Sequence, residues 1–351
     1  MWNKIRVLQN TIVYLKPIQI YFQIYYRLKS FFGIKRKYSN AYHKVVELKW
    51  EDGIYNLRSF LREKKFKFIN VKHDFENYID WNGSDLSKLW NYNLNYFDYL
   101  NQKQLSKEQG LSLLYDFSKK YDDLDCGKDS YPTSLRIINW VKFIAKHRIK
   151  DEKLYKILRE DAQRLSKNLE YHLLGNHLLE NGFALWFAAH FFDEVHFFRL
   201  SNKILLKQLD CQILKDGGHF ELSPMYHQLM LYRVLDCIQL AETNPNDSSC
   251  QTVSVLREKA SKMSTWLEEV SYNSGAIPLV NDSANGINPD SNSILEYAKI
   301  LNIPQSNEQL SDSGYRMIRT GFYELFLDIG QIGASYQPAT LMLILSILNC
   351  M

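Results

Sequence analysis

Apolar residues recur at spacings of three and four along most of this chain, and this periodicity limits its fold more than any other feature. A repeat near 3.6 residues is typical of helices that bury one face. Strand-like segments do not alternate with these helices, so the pattern argues against a doubly wound α/β sheet. The predicted helices include 105–120, 135–147, 151–169, 176–192, 197–214, 226–243 and 252–271.

The links between the predicted helices are short and contain turn-forming residues, as at 216–218 and 244–247. Many helices of similar length joined in this way indicate helical hairpins packed as a bundle, a solenoid or a ring. No fixed sequence period recurs along the chain, so the helical-repeat families are not supported.

The pattern changes after Leu310. Residues 313–319 and 323–328 have the character of two strands joined by a turn at Gly321. Two strands alone do not make a stable domain, so they predict the start of a β-domain. The predicted division is an N-terminal amphipathic helical segment (1–40), a helical domain (41–310), the first strands of a β-sandwich (311–338) and a tail (339–351).

Charge and motif content narrow the function classes. The net charge is +4, from 43 basic and 39 acidic residues, which is too mild to indicate nucleic-acid binding. The five cysteines are scattered without a CxxC pair, so neither a disulfide framework nor a metal site is predicted. Phosphate-loop, dinucleotide, zinc-protease and serine-hydrolase motifs are absent, and no cofactor is predicted.

The N-terminal segment 11–32 is apolar and rich in tyrosine, but charged and amide side chains interrupt it. It therefore predicts a surface helix and no transmembrane span. Since no secretory signal is evident, we expect a cytoplasmic protein, with a periplasmic or cell-surface location as the alternative.

The densest polar cluster is 174–181. His177 and Glu180 are three residues apart and therefore share a helix face, where Glu180 would hold the imidazole in one tautomer. Asn176 precedes them at a helix start, where it would act as the cap. The alternative is a capping Asn beside a histidine with a purely structural role.

A second cluster, 216–227, combines a glycine-rich turn with Glu221, Tyr226 and His227. Tyr226 stands at a predicted helix start, where the positive end of the helix dipole favours a phenolate. The pattern indicates a site loop, and a polar turn with an N-terminal cap is the alternative.

Two further segments interleave aromatic, amide and basic side chains, which suits recognition of sugars and their carboxylates or sulfates. The alternative is that the tryptophans belong to the core. The candidate substrate-binding residues are Trp90, Asn91, Tyr92, Asn95, Arg136, Asn139 and Trp140, with Glu221 and His227 from the second cluster.

Taken in order, several motifs resemble the heparinase II/III-like polysaccharide lyases, a group that includes alginate lyases. The resemblance implies an incomplete α/α toroid followed by an antiparallel β-sandwich. It also implies β-elimination at a uronic acid of an anionic polysaccharide. The motifs are WNYNLNYFDYL (90–100), SLRIINWVKF (134–143), GNHLLENGFAL (175–185), DGGHFELSPMYH (216–227), PLVNDSA (278–284) and DSGYRMIR (312–319).

The resemblance also implies roles. Asn176 would bind the uronate carboxylate, His177 would neutralise it or act as base, and Tyr226 would be base, acid or both. Glu180 would support His177. Asn95 replaces a histidine expected in the family, which predicts an altered sugar contact. Arg136, Asn139 and Trp140 would line the cleft.

The tail departs from the family. After Pro338 the family continues with a Gly-His-x-His-Ala-Asp segment that supplies a further histidine, whereas this chain reads ATLMLILSILNCM at 339–351. Synonymous codons for this tail, read with one added nucleotide, encode GHTHADTLNFELH. The sequence therefore predicts a one-nucleotide deletion or a sequencing error near codon 339, and an impaired lyase for the chain as written.

Two other functions stay open. A glycoside hydrolase would need two carboxylates across a cleft, for which Glu221 and Asp282 are the candidates. A non-catalytic carbohydrate-binding remnant would bind without turnover.

Overall fold

The structure is a computed structural model that describes residues 15–32, 38–51, 53–83, 85–330 and 349–350. Within these ranges it contains ten α-helices and six short strands. The helices are α1 (Pro17–Phe31), α2 (Lys88–Tyr96), α3 (Lys107–Lys120), α4 (Ser130–His147), α5 (Glu152–Ser166), α6 (Gly175–Phe192), α7 (Val195–Gln212), α8 (Pro224–Thr243), α9 (Cys250–Val270) and α10 (Ser291–Ile300). The strands are β1 (Phe60–Arg62), β2 (Lys65–Phe68), β3 (Val71–Asp74), β4 (Tyr315–Arg319), β5 (Glu324–Asp328) and β6 (Asn349–Cys350).

The seven predicted helices are confirmed as α3 to α9. Local chemistry sets several of their starts. Ser106 and Gln109 form a reciprocal capping box at the start of α3, and the Asp151 side chain accepts two backbone N–H groups at the start of α5. α8 begins at Pro224, whose missing N–H costs nothing in the first turn.

Helix α6 forms the centre of the helical domain. Its sequence is apolar on all sides, and it packs against α4, α5, α7 and α8. Gly182 permits the close approach of α7, since a Cβ there would lie 2.8 Å from Ile204 Cγ2. Successive helices pack as neighbours in this way, with α8 against α9, and the predicted incomplete α/α toroid is confirmed.

A three-stranded antiparallel sheet, β1–β2–β3, lies within the region whose periodicity is overwhelmingly helical. In β2 the phenylalanines Phe66 and Phe68 are buried while Lys65 and Lys67 are not, a two-residue alternation typical of a half-buried strand. The Phe66 ring meets Tyr99 at 5.2 Å, which packs the sheet onto the helical core. The prediction of a mainly α fold is confirmed, and this sheet adds strands that the helical periodicity did not indicate.

The predicted strands after Leu310 are confirmed as β4 and β5, which pair antiparallel, and β6 adds to the outer edge of β5. Asp216 in the helical domain accepts hydrogen bonds from the Ser311 and Ser313 backbone N–H groups, which ties this sheet to the toroid. The remainder of the predicted tail 339–351 lies outside the described residues, as do 1–14 and 33–37 of the N-terminal segment.

In the part of the chain that the structure describes, no helix combines the length and apolar character needed to cross a bilayer.

Candidate active site

Two helices of the toroid begin with the polar motifs found in the sequence, and a strained leucine precedes each. Before α6, Leu174 has φ 62° and ψ −148°, a conformation usually reserved for glycine. Before α8, Leu222 has φ 55°. Such backbone persists only where surrounding contacts impose it, and it is concentrated at functional sites.

Asn176 and His177 lie in the first turn of α6, and both are half-buried. The residue at the cap position is Leu174, which makes no side-chain capping bond. The prediction that Asn176 caps the helix is therefore wrong, and its amide is not committed to a capping bond.

Glu170 is the carboxylate that contacts His177. Its Oε1 lies 3.2 Å from His177 Nδ1, and its Oε2 accepts a hydrogen bond of 2.9 Å from Asn181 Nδ2. The Asn181 side-chain oxygen in turn accepts from the Glu170 backbone N–H. A carboxylate fixed in this way orients the imidazole and leaves its Nε2 to face other groups.

Sequence reasoning missed Glu170 because it lies in the loop before α6, where helix spacing gives no signal. The sequence spacing indicated Glu180 as the carboxylate that supports His177, and that assignment is wrong. Glu180 is fully buried, and Arg233 Nε donates to its Oε1 at 3.4 Å. Burial raises the pKa of Glu180, and the nearby Arg233 charge opposes that rise.

Tyr226 lies in the first turn of α8, where its backbone N–H donates to the Ser223 hydroxyl, and its ring is half-buried. Burial raises the pKa of Tyr226, and the charges of Glu221 and Asp282 raise it further. The raised pKa opposes the phenolate that the helix dipole favours. A neutral phenol is a proton donor, and its phenolate, once formed, is a strong base.

Tyr131, in the first turn of α4, contacts His177 at the start of α6. Its ring centroid is 4.6 Å from that of His177 and 5.8 Å from that of Tyr96. Burial raises the pKa of Tyr131 well above its ordinary value, and Tyr226 is near enough for its charge to add to the rise. The structure thus groups His177, Tyr131 and Tyr226.

The side chain of Gln212 links the start of α6 to the glycine-rich turn that precedes α8. Its Nε2 donates to the Gly175 carbonyl at the start of α6, and its Oε1 lies 3.1 Å from His219 Nε2 in the glycine-rich turn. Gln212 is fully buried, so this bridge fixes one helix start relative to the other.

His227 is fully buried, which contradicts its prediction as a substrate contact. Its Nδ1 accepts from the His219 backbone N–H at 3.2 Å, and its Nε2 lies 3.0 Å from the Met263 carbonyl. Burial lowers the pKa of His227 to about 4 and that of His219 to about 3, so both imidazoles are neutral near pH 7. They support the turn that carries Glu221, which is half-buried and stays a candidate contact.

The residues predicted on α2 are mostly structural. Trp90 is in the core, against Phe68, and donates to the Val71 carbonyl. Asn91 and Asn95 are buried, and Asn95 donates to the Trp81 carbonyl at 3.0 Å. The predictions that these three side chains contact substrate, and that Asn95 alters a sugar contact, are therefore wrong. Tyr92 is half-exposed, and its hydroxyl bonds Asp129.

The residues predicted on α4 are also buried. Arg136 forms a two-pronged ion pair with Asp161, at 2.7 Å from Nε and 2.9 Å from Nη2. Asn139 donates to the Tyr96 carbonyl, and Trp140 packs in the core. None of the three faces a cleft, so the predicted cleft lining is wrong here. The hydrogen bonds of Arg136 and Asn139 connect α4 to α5 and to the end of α2.

A cavity of about 370 Å³ opens beside α8. Tyr226, Leu229 and Arg233 stand at positions i, i+3 and i+7 of this helix, so they share one face. The cavity, which Leu229 and Arg233 line, therefore lies within about 10 Å of Tyr226 along the helix. Its polar lining offers hydrogen bonds to a hydroxylated ligand and consists of Asn56, Arg58, Ser59, Lys67, Asn70, Asn93, Asp98, Tyr232, Arg233, Asn285 and Asn288.

Across the described ranges, no group of three or more His, Cys, Asp or Glu residues is arranged to hold a metal ion.

Comparison with known proteins identifies relatives. A family model described as the heparinase II/III N-terminus matches residues 124–310, more than half of the chain. In three dimensions the chain is similar to heparinase III, with a TM-score of 0.60 and 15% sequence identity over 88% of this chain and 57% of that one. A search of curated protein sequences gave no match.

Heparan sulfate lyase HepC from Pedobacter heparinus is also similar, with a TM-score of 0.50 and 17% identity over 90% of this chain and 57% of that one. At these identities the likeness shows a shared fold. The chain spans somewhat more than half the length of the two solved structures.

Proposed function

Because this chain belongs to the heparinase II/III family, we propose that it is a polysaccharide lyase that cleaves a uronate-containing polysaccharide by β-elimination. The observation that carries the proposal is the grouping of His177, held by Glu170, with Tyr131 and Tyr226 at two linked helix starts. The amide-rich cavity beside α8, with Arg58 and Lys67 in its lining, supports an anionic sugar as the ligand.

The reaction sets the chemical demands on the site. The proton at C5 of the uronate is removed, its electron pair forms the C4–C5 double bond, and the C4–O bond breaks. The leaving oxygen takes up a proton. The adjacent carboxylate must be neutralised, because otherwise the carbanion-like intermediate carries too much negative charge.

We assign these tasks to the accessible residues. The Asn176 amide and the His177 imidazole bind and neutralise the carboxylate, as the family resemblance implies. Tyr226 transfers the proton. Its raised pKa makes the neutral phenol the resting form, so the phenol first releases its own proton to solvent when substrate is bound. The phenolate then takes the C5 proton and passes it to the leaving oxygen, which returns Tyr226 to the phenolate. Glu170 positions His177 and does not touch the sugar.

The test is to incubate the chain with heparan sulfate and with alginate and to follow the near-ultraviolet absorbance of unsaturated uronate. We expect the absorbance to rise, and we expect H177Q to abolish the rise. The matched control is H196Q, since His196 is exposed at the start of α7. Cleavage that yields only saturated ends would overturn the lyase proposal.

A saturated product would favour the hydrolase alternative. Glu221 and Asp282 both act on the pKa of Tyr226, so two carboxylates do lie near this site. E221Q and D282N would then each abolish cleavage, whereas the lyase proposal expects each to leave unsaturated product. Polymer binding without either product would favour the carbohydrate-binding remnant.

The change of reading frame after Pro338 and the cytoplasmic location both stay predictions. Sequencing the gene across codon 339 tests the first, and assaying proteins with each reading frame tests the predicted impairment. We expect the frame that encodes GHTHAD to give more unsaturated product, because it supplies the further histidine that the family resemblance implies.

A further inference from the structure

Helix α1 exposes a continuous apolar stripe. The stripe residues follow one another at spacings of three and four, so they lie on one helix face. No other described helix carries more than one exposed large apolar side chain, and single residues of that kind are ordinary. The stripe consists of Ile18, Tyr21, Ile24, Leu28 and Phe31, followed by Phe32.

The opposite face of α1 is docked on the helical domain. The buried Gln19 donates to the Leu173 carbonyl, the Phe22 ring stacks on Tyr171 with centroids 4.8 Å apart, and the Tyr26 hydroxyl donates to the Leu169 carbonyl. These contacts fix the rotation of the helix about its axis. The stripe therefore points away from the toroid and stays uncovered among the described residues.

Charge around the stripe is strongly one-sided. The first 46 residues contain nine Lys or Arg and no Asp or Glu, although the whole chain is only +4. The other 305 residues therefore carry a net charge of −5. Within the helix, Arg27 is exposed and lies between the stripe and the docked face. An apolar face bordered by basic residues is the pattern of helices that lie in the interface of an anionic bilayer.

We propose that α1 is an interfacial anchor that lays the stripe Ile18–Phe32 on an anionic membrane surface. A second copy of the chain is a poorer partner, because pairing the stripes would bring together two segments that contain no acidic residue. The bilayer offers both the apolar depth and the negative charge. This proposal is independent of the proposed lyase activity.

The docking of α1 connects this helix to the candidate active site. Helix α1 donates hydrogen bonds to the loop 168–173. This loop includes Glu170, which contacts His177. A membrane-bound α1 would therefore hold the candidate active site in one orientation relative to the membrane surface. A surface-attached polysaccharide would then reach it from a fixed direction.

The experiment is co-sedimentation of the full chain with vesicles of phosphatidylcholine alone or mixed with phosphatidylglycerol. We expect binding only to the mixed vesicles, with release at about 1 M salt, where charges are screened beyond about 3 Å. The double variant I24D/L28D should weaken binding at least about tenfold, because it places two charges in the apolar face.

The matched control is L89D/I300D, which adds the same two charges at exposed positions of α2 and α10. It should bind vesicles nearly as the parent does, and circular dichroism should give both variants the parent's melting temperature. Equal binding to both vesicle types, or equal loss in both variants, would overturn the proposal. A dimer that I24D/L28D converts to a monomer, without vesicle binding by the parent, would assign the stripe to self-association instead.

Discussion

Arg136 and His177 both stand in polar motifs on neighbouring helices of the toroid, but Arg136 is sealed in the interior and His177 is half-exposed. The same contrast separates the polar residues of α2 and α4 from those at the starts of α6 and α8. Most polar atoms of the first group bond within the protein, whereas Asn176, His177 and Tyr226 of the second group are only half-buried. Similar motifs therefore occur both in the interior and at the candidate site, and the burial of their side chains distinguishes the two groups.

The largest effect expected from this comparison is on activity. Y226F removes the hydroxyl proposed to transfer a proton, and general acid–base groups contribute about 10²- to 10⁴-fold. We expect unsaturated product to form slower by that factor while the unfolding midpoint in urea stays unchanged. The control Y115F removes a surface hydroxyl bonded to Asp151 and should keep full activity. Equal losses in both variants would contradict the assignment.

Substitutions in the buried group should instead lower the free energy of unfolding. D161A leaves the Arg136 guanidinium buried without its carboxylate and also removes the acceptor of the Tyr121 hydroxyl. Removing one partner of a buried pair costs about 3–5 kcal/mol of unfolding free energy. Urea denaturation measures it. E160A, which breaks the more accessible pair with Arg164, should cost less than about 1 kcal/mol. Equal losses of unfolding free energy in D161A and E160A would contradict a special role of the buried Arg136–Asp161 pair in stability.

The buried histidines predict an acid sensitivity. Burial lowers the pKa of His227 to about 4, below the value near 6.5 expected when unfolded. Between these two pKa values the unfolded chain binds a proton at His227 and the folded chain does not. The stability that the neutral imidazole contributes is therefore present above pH about 6.5 and is lost as the pH falls toward 4. The expected loss is about 3 kcal/mol. Urea unfolding at several pH values checks it, and H227Q should flatten the slope between pH 6.5 and 4.

The smallest effect tests the partner of His177. E170Q keeps the shape of Glu170 but replaces a charge-assisted hydrogen bond with a neutral one, which is about half as strong. We expect kcat to fall about tenfold, equivalent to 1.4 kcal/mol, with KM and the unfolding midpoint unchanged. E170D should restore part of the loss. A variant that raises KM alone would indicate that Glu170 binds the sugar directly.

The sequence predicts some residues of the candidate site and not others. Asn176, His177 and Tyr226 were found because they stand in ordered motifs at helix starts, and their catalytic roles stay predictions. Glu170 and Tyr131 were missed because no spacing connects a loop residue or the start of α4 to an imidazole on α6. The β1–β3 sheet was missed because its two-residue alternation is short and lies among long helical patterns.

The sequence by itself determined the helices, the change to strands after Leu310 and the family to which the chain belongs, because local periodicity and ordered motifs are written along the chain. Only the tertiary structure decided that Arg136 and Asn95 are interior, that Glu170 rather than Glu180 contacts His177, and that α1 turns its apolar stripe outward. The physical reason is that spacing defines one face of one helix. What that face meets depends on packing between segments far apart in sequence.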